Sequence, residues 1–164
     1  MKLIVGLGNI GKRVAEIAKL FGCRVIYYST SGKNNNADYE RVSFDEILAQ
    51  SDILSVHAPL DENTKGLFDK AAFAKMKPSS IFINVGRGPI VVEQDLADAL
   101  EEGEIAAAGL DVLAVEPMAE TNPLRQIKNS EKLIITPHIA WASIEARTRL
   151  MQIICNQIKE YFGL

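Results

Sequence analysis

The sequence predicts an α/β fold, a doubly wound parallel sheet three layers deep. Short, continuously apolar runs alternate with amphipathic stretches of helical period. Strands apolar on both faces are what a parallel sheet covered by helices on each side requires. A glycine pattern, Gly6-Leu7-Gly8-Asn9-Ile10-Gly11, falls in the first turn between such a run and such a stretch. At 164 residues the chain is long enough to bury one core, and no fixed-period repeat or linker divides it, so residues 1–164 read as one domain.

Lys2 to Val5 reads as the first strand. Val14, Ile17, Ala18 and Phe21 then recur at helical spacing, and Gly22 ends that helix because glycine accepts a left-handed cap. Arg24 to Tyr28 is the second strand, followed by a polar loop from Thr30 to Asn36. Ser43 and Glu46 have the spacing of a capping box and open a short helix. Ile53 to Val56 and Ile81 to Asn84 are the third and fourth strands. Glu93 to Leu100 is helical and stops at Gly103. Ile105 to Val112 is a fifth strand, and Leu133 to Thr136 a sixth that Pro137 closes. Ala142 to Tyr161 is a long last helix with a stripe of Ile144, Leu150, Ile153, Ile154 and Ile158. The least ordered stretches are expected at Ser31 to Ala37 and Ala119 to Ser130.

Bulk properties remove several function classes. A net charge of −3 offers no footprint for nucleic acid or anionic lipid. No apolar run approaches the roughly 18 residues of a membrane span, and Leu3-Ile4-Val5 is too short for a secretory leader. The two cysteines, Cys23 and Cys155, make no disulfide framework and have no metal spacing, so a cytoplasmic protein without a metal site is expected.

The glycine pattern carries the first functional reading. Gly6 permits a tight turn, Gly8 lets backbone approach a pyrophosphate, and Gly11 allows close packing of helix on strand. Free amides at the helix N-terminus then face the phosphates. Such a pattern alone also fits a structural glycine turn; its place after a strand and before a helix favours a dinucleotide, NAD or NADP, and with it a Rossmann-type sheet. Where an acid usually closes the second strand and bonds the ribose, this chain has Ser29, followed by Thr30-Ser31-Gly32-Lys33. That segment reads equally as a plain polar loop or as one tolerant of a ribose phosphate.

The chain has two histidines, and both follow strands. His57 stands in His57-Ala58-Pro59-Leu60, and His138 in Thr136-Pro137-His138-Ile139-Ala140. Ligands of open parallel sheets sit at the carboxyl ends of strands, so both are well placed to exchange protons, although either alone reads more simply as structural. Arg87, in Asn84-Val85-Gly86-Arg87-Gly88, can fork onto a carboxylate. Asp111 and Glu116 follow the fifth strand. One cation, one acid and one histidine at one sheet edge form a constellation.

These motifs, in this order, resemble the nucleotide-binding domain of the D-isomer-specific 2-hydroxyacid dehydrogenases, in their glycerate dehydrogenase and hydroxypyruvate reductase branch. The resemblance implies a 2-keto or 2-hydroxy acid substrate, with Arg87 on its carboxylate, His138 as acid/base and Glu116 as the partner of His138. It implies cofactor contacts from Gly6, Gly8, Asn9, Ile10, Gly11, Ser29, His57, Ala58, Pro59, Val85, Gly86, Arg87, Asp111, His138 and Ala140, with Asp111 on the nicotinamide carboxamide. Ala140 stands where the family often has glycine. The resemblance also implies a homodimer in the full-length enzyme, and that the family's substrate-binding domain segments are largely absent from this chain. A dinucleotide-dependent binding or sensor module without turnover is the other reading. Retention of Arg87, Glu116 and His138 together favours the enzyme, since binding alone needs none of them.

Overall fold

Val5 is the seam of the molecule. In a computed structural model that describes residues 4–163, Val5 bridges Tyr28 on one side and Val56 on the other, in parallel on both. On the first side lies β1 (Ile26–Tyr27), paired in parallel with β2 (Glu40–Arg41). On the other lie β3 (Ile53–Val56), β4 (Ile81–Asn84), β5 (Ala107–Leu110) and β6 (Leu133–Ile135), all parallel and in that order. The chain thus winds outward from Val5 to β2, returns, and winds outward again to β6. A crevice opens where the winding reverses, at the strands' carboxyl ends.

Register decides what meets there. Val56 pairs with Asn84, Asn84 with Leu110 and Leu110 with Ile135. The residues that follow these positions, His57, Val85, Asp111 and Thr136, therefore leave the sheet along a single edge. Gly6 leaves beside them, after Val5.

Apart from the single turn α3, the α-helices form where the sequence predicts them. α1 (Asn9–Leu20) buries Gly11, Ala15 and Ala18, and Gly22 follows it with φ +76°. α2 (Phe44–Gln50) starts with the capping box of Ser43 and Glu46 in both directions. α3 (Lys70–Phe73) is a single turn capped by Asp69. α4 (Glu93–Glu102) buries Leu96, Ala97, Ala99 and Leu100 and ends on left-handed Gly103. α5 (Ile144–Phe162) is capped by Ser143 and Gly163, and none of its residues is buried. Its stripe lies open to solvent, with Ile144 71% and Leu150 50% exposed.

The larger core cluster takes side chains from β3, β4, β5, α2, α3 and α4. Phe68 lies inside it, in ring contact with Phe44, Phe73 and Phe82. Each fully buried ring contributes about 1.5–3 kcal/mol. A smaller cluster, with Leu7, Ala15, Val25 and Tyr27, seats α1.

Several elements differ from the sequence reading; β1 and β5 are shorter than expected, at Ile26–Tyr27 and Ala107–Leu110. The first strand shrinks to the Val5 bridge among described residues, and Lys2 and Leu3 lie outside them. β2 and α3 are additions. The stretch from Ala119 to Ser130, expected to be loose, contains a 3-10 turn (Pro123–Gln126) whose Leu124 is only 4% exposed. The loop from Ser31 to Ala37 is also tied down. The Tyr27 hydroxyl donates to the Asn34 carbonyl and accepts from the Asn36 amide, and Arg41 bonds Gly32 and Asn35.

Candidate active site

The glycine turn is built by steric exclusion. Gly6 has φ +88°, and a Cβ there would stand 2.8 Å from the Ala58 nitrogen. A Cβ on Gly11 would lie 2.1 Å from the Gly6 carbonyl oxygen. A Cβ on Gly8 would meet nothing within 4 Å, so at that position the space in front of α1 is open. Gly8 is the N-cap of α1 and gives no side-chain cap, and the first turn holds no acid. Helix-start amides with neither cap nor carboxylate suit an anionic group. The turn and its open side fit a dinucleotide pyrophosphate.

Beside this turn lies a cleft of ≈ 470 Å³ lined by Ile10, His57, Ala58, Pro59, Leu60, Val85, Gly86 and Arg87. Two of its walls touch, since a Cβ on Gly86 would lie 3.0 Å from the Ala58 oxygen. The Arg87 turn is shaped by buried Asn84. Its side chain accepts from the Gly86 amide at 3.0 Å and donates to the Arg87 carbonyl at 2.9 Å. Arg87 itself is exposed, and its guanidinium donates to the Gly86 carbonyl at 2.7 Å. His57 Nε2 lies 2.9 Å from the Ser55 hydroxyl, while its Nδ1 is buried without a partner among the described residues. Burial holds this imidazole below its ordinary pKa, so His57 is neutral at neutral pH.

The second histidine has a different setting. His138 Nδ1 lies 2.7 Å from Glu116 Oε2. The other Glu116 oxygen accepts from the Leu113 amide at 2.9 Å. The Leu113 amide, and then the His138 bond, hold the Glu116 carboxyl below the usual range, so it is ionised beside the imidazole. Both side chains are partly open, at 40% and 37%. They line a hollow of ≈ 740 Å³ with Asp111, Arg125 and Thr136 among its walls.

His138 has φ +54°, a left-handed conformation that costs a non-glycine residue about 1–3 kcal/mol. Asp111 maintains it. One carboxylate oxygen accepts from the Thr136 hydroxyl at 2.5 Å and the Ile139 amide at 2.9 Å, and the other from the Ala140 amide at 2.9 Å. Burial pushes the Asp111 carboxyl up, but the bonds from Thr136, Ala140 and Ile139 outweigh it and hold the group below the ordinary range. Its oxygens are thus engaged in fixing the His138 turn, a role the sequence reading did not assign. Ser29 is 4% exposed, and its buried hydroxyl has no partner among the described residues.

Glu116 and His138 are therefore in contact, with Asp111 behind them, whereas Arg87 and His57 share the other cleft. Thr136, Asn84 and Ser55 went unnoticed in the sequence. Thr136 and Asn84 lie within the quoted motifs, and their neighbours drew the attention.

A glycine turn at the switch of a doubly wound parallel sheet, with a histidine–carboxylate pair on the same edge, defines a dinucleotide-binding domain of the oxidoreductase kind. The chain belongs to the D-isomer-specific 2-hydroxyacid dehydrogenase family: that family's NAD-binding domain matches residues 2–140. It is 46% identical over 162 residues to a hydroxypyruvate reductase of Blautia hydrogenotrophica, covering 96% of this chain and 49% of that protein. A D-lactate dehydrogenase of Aquifex aeolicus, solved with NAD and lactic acid, superposes with TM-score 0.89 at 26% identity, over 99% of this chain and 53% of that one. A probable 2-hydroxyacid dehydrogenase of Rhizobium etli, solved with NADP, HEPES and tartaric acid, superposes with TM-score 0.79 at 31% identity, over 97% and 52%. The chain spans about half the length of the curated relatives it matches.

Proposed function

We propose that this chain is the nucleotide-binding half of an enzyme that interconverts a 2-keto acid and a D-2-hydroxy acid. The observation that carries the reading is the 2.7 Å contact of His138 with Glu116, which pure dinucleotide binding does not need. NAD or NADP, when bound, supplies or accepts a hydride at its nicotinamide ring. His138 holds the proton that goes to the substrate's carbonyl oxygen as negative charge grows there, and takes it back in the reverse direction. Glu116 orients that imidazole through Nδ1, leaving Nε2 for the substrate. Arg87 binds the substrate carboxylate and aligns the carbonyl.

Gly6, Gly8, Asn9, Ile10 and Gly11 cradle the pyrophosphate. His57, Ala58, Pro59, Val85, Gly86, Asp111 and Ala140 line the path toward the nicotinamide. Ser29 puts no carboxylate against a ribose 2′-phosphate, and Lys33 follows it, so neither dinucleotide is repelled. The second half of the molecule, supplied in the relatives by the rest of their length, closes over the substrate. In the enzyme two such subunits pair, and the exposed Ile17 and Leu20 of α1, with Phe21 just past its end, offer an apolar face for pairing. Two free cysteines suit the reducing cytoplasm.

The test joins this chain to the remaining half of a relative and follows oxidation of reduced dinucleotide by glyoxylate or hydroxypyruvate. Turnover is expected, with His138→Gln lowering kcat at least a hundredfold. Undiminished kcat in that variant would overturn the assignment.

A further inference from the structure

We propose that Glu93, in the first turn of α4, is a positioning residue that holds the Glu116 loop in place for the His138 pair. The inference rests on the reading above and extends it to a residue outside both clefts. Glu93 turns away from its own helix. Its Oε1 accepts from the Ala114 amide at 2.7 Å, and its Oε2 from the Asn122 side chain at 2.8 Å. Asn122 is buried and at the same time caps the Pro123–Gln126 turn through the Leu124 amide at 2.9 Å. Glu93 thus grips the Glu116-bearing segment at two points, one on each side of Glu116.

The segment is also pressed against the Arg87 turn. A Cβ on Gly88 would lie 1.9 Å from the Leu113 carbonyl carbon and 2.4 Å from the Ala114 nitrogen. Backbone 113–114 is therefore seated directly on the residue that follows Arg87. Its two amides are held by two carboxylates: Leu113 by Glu116, Ala114 by Glu93. Charge-assisted bonds of this length are about twice as strong as neutral ones. Loss of Glu93 frees the Ala114 amide, Asn122 and the approach of the loop to Gly88 together. Glu116 then loses the fixed geometry in which the Leu113 amide and His138 both reach it.

The experiment is a carbon-13 carboxyl NMR titration of Glu116 in the 164-residue chain. The charged groups that line the hollow with Glu116 are His138, Asp111 and Arg125, and none of them is altered. Glu93→Ala and Asn122→Ala, the latter adding no charge while removing the Asn122 side-chain donor to Glu93, should each raise the Glu116 midpoint toward the ordinary carboxylate range. Glu93→Gln, which keeps the shape and one acceptor, should raise it less, and it decides the matter if the others do not fold. Asp95→Ala is the matched control: Asp95 lies in the same turn of α4 but accepts from the Lys70 amide instead, at 2.9 Å. It should leave Glu116 as in the wild type. An unmoved Glu116 in the folded Glu93 and Asn122 variants, or an equal rise in Asp95→Ala, overturns the proposal. The readout needs no turnover. Failure to bind dinucleotide would sink the dehydrogenase reading alone, and a flat titration in a chain that binds dinucleotide would sink only the role of Glu93.

Discussion

Single atoms decide much of the site. Gly8 is the one fingerprint glycine whose missing Cβ faces open space, so Gly8→Val should leave the fold intact while filling the pyrophosphate's path. Calorimetry should find dinucleotide affinity lowered at least a hundredfold, about 2.7 kcal/mol, and equal affinities would contradict the assignment. Asp111 provides a second case. Its folded carboxyl sits below the ordinary range, so its contribution to stability is complete above the unfolded pKa and drains away as pH falls through the folded one. Asp111→Asn turns an amide against the Ala140 N–H and should cost about 2 kcal/mol at neutral pH. Its melting temperature should also fall less on acidification than that of the wild type, as thermal melts at descending pH will show; parallel curves would refute the account. The sequence displayed the groups that stand in the open, Arg87, Glu116 and His138. It concealed Glu93 and Asn122, because their partners are backbone amides and each other, more than twenty residues apart. Short-range spacing contains no trace of such a bond.

Among the elements, legibility followed length and burial. β3 and β4 were readable to the residue, since each is a run of four with three apolar positions, too short for a helix. α4 was bounded by its own period and by left-handed Gly103. β2 escaped because its residues, Glu40 and Arg41, are exposed and charged, and it exists only by pairing with β1. α3 is one turn, too short to show a period. The Pro123–Gln126 turn was mistaken for slack chain on account of its polar flanks, yet Leu124 is buried against α4. Leu124→Ala should therefore cost about 3 kcal/mol in chemical denaturation. A loss below about 0.5 kcal/mol would mean that this segment is as loose as its composition suggested.

At the scale of the molecule, His138 and Glu116, the proposed proton donor and its partner, are in contact within a chain about half as long as its relatives. Orientation by an opposing wall, which we assign to the length the relatives have beyond this match, is worth about 7–11 kcal/mol of barrier. The 164-residue chain should accordingly bind dinucleotide yet oxidise it with glyoxylate or hydroxypyruvate at a small fraction of the joined enzyme's rate. Steady-state absorbance decides this, and ordinary dehydrogenase rates from the chain alone would show that the wall is dispensable.

The contact at Gly88 also limits where this sequence can drift. A side chain at that position collides with backbone, which no substitution at 113 or 114 removes. Relief would require a change in the length or path of the later loop, arriving together with the point mutation. Each step alone would spoil the arrangement beside Arg87, so selection meets a valley between two workable states. Descendants can vary freely along the outer face of α4, but position 88 is closed to gradual change.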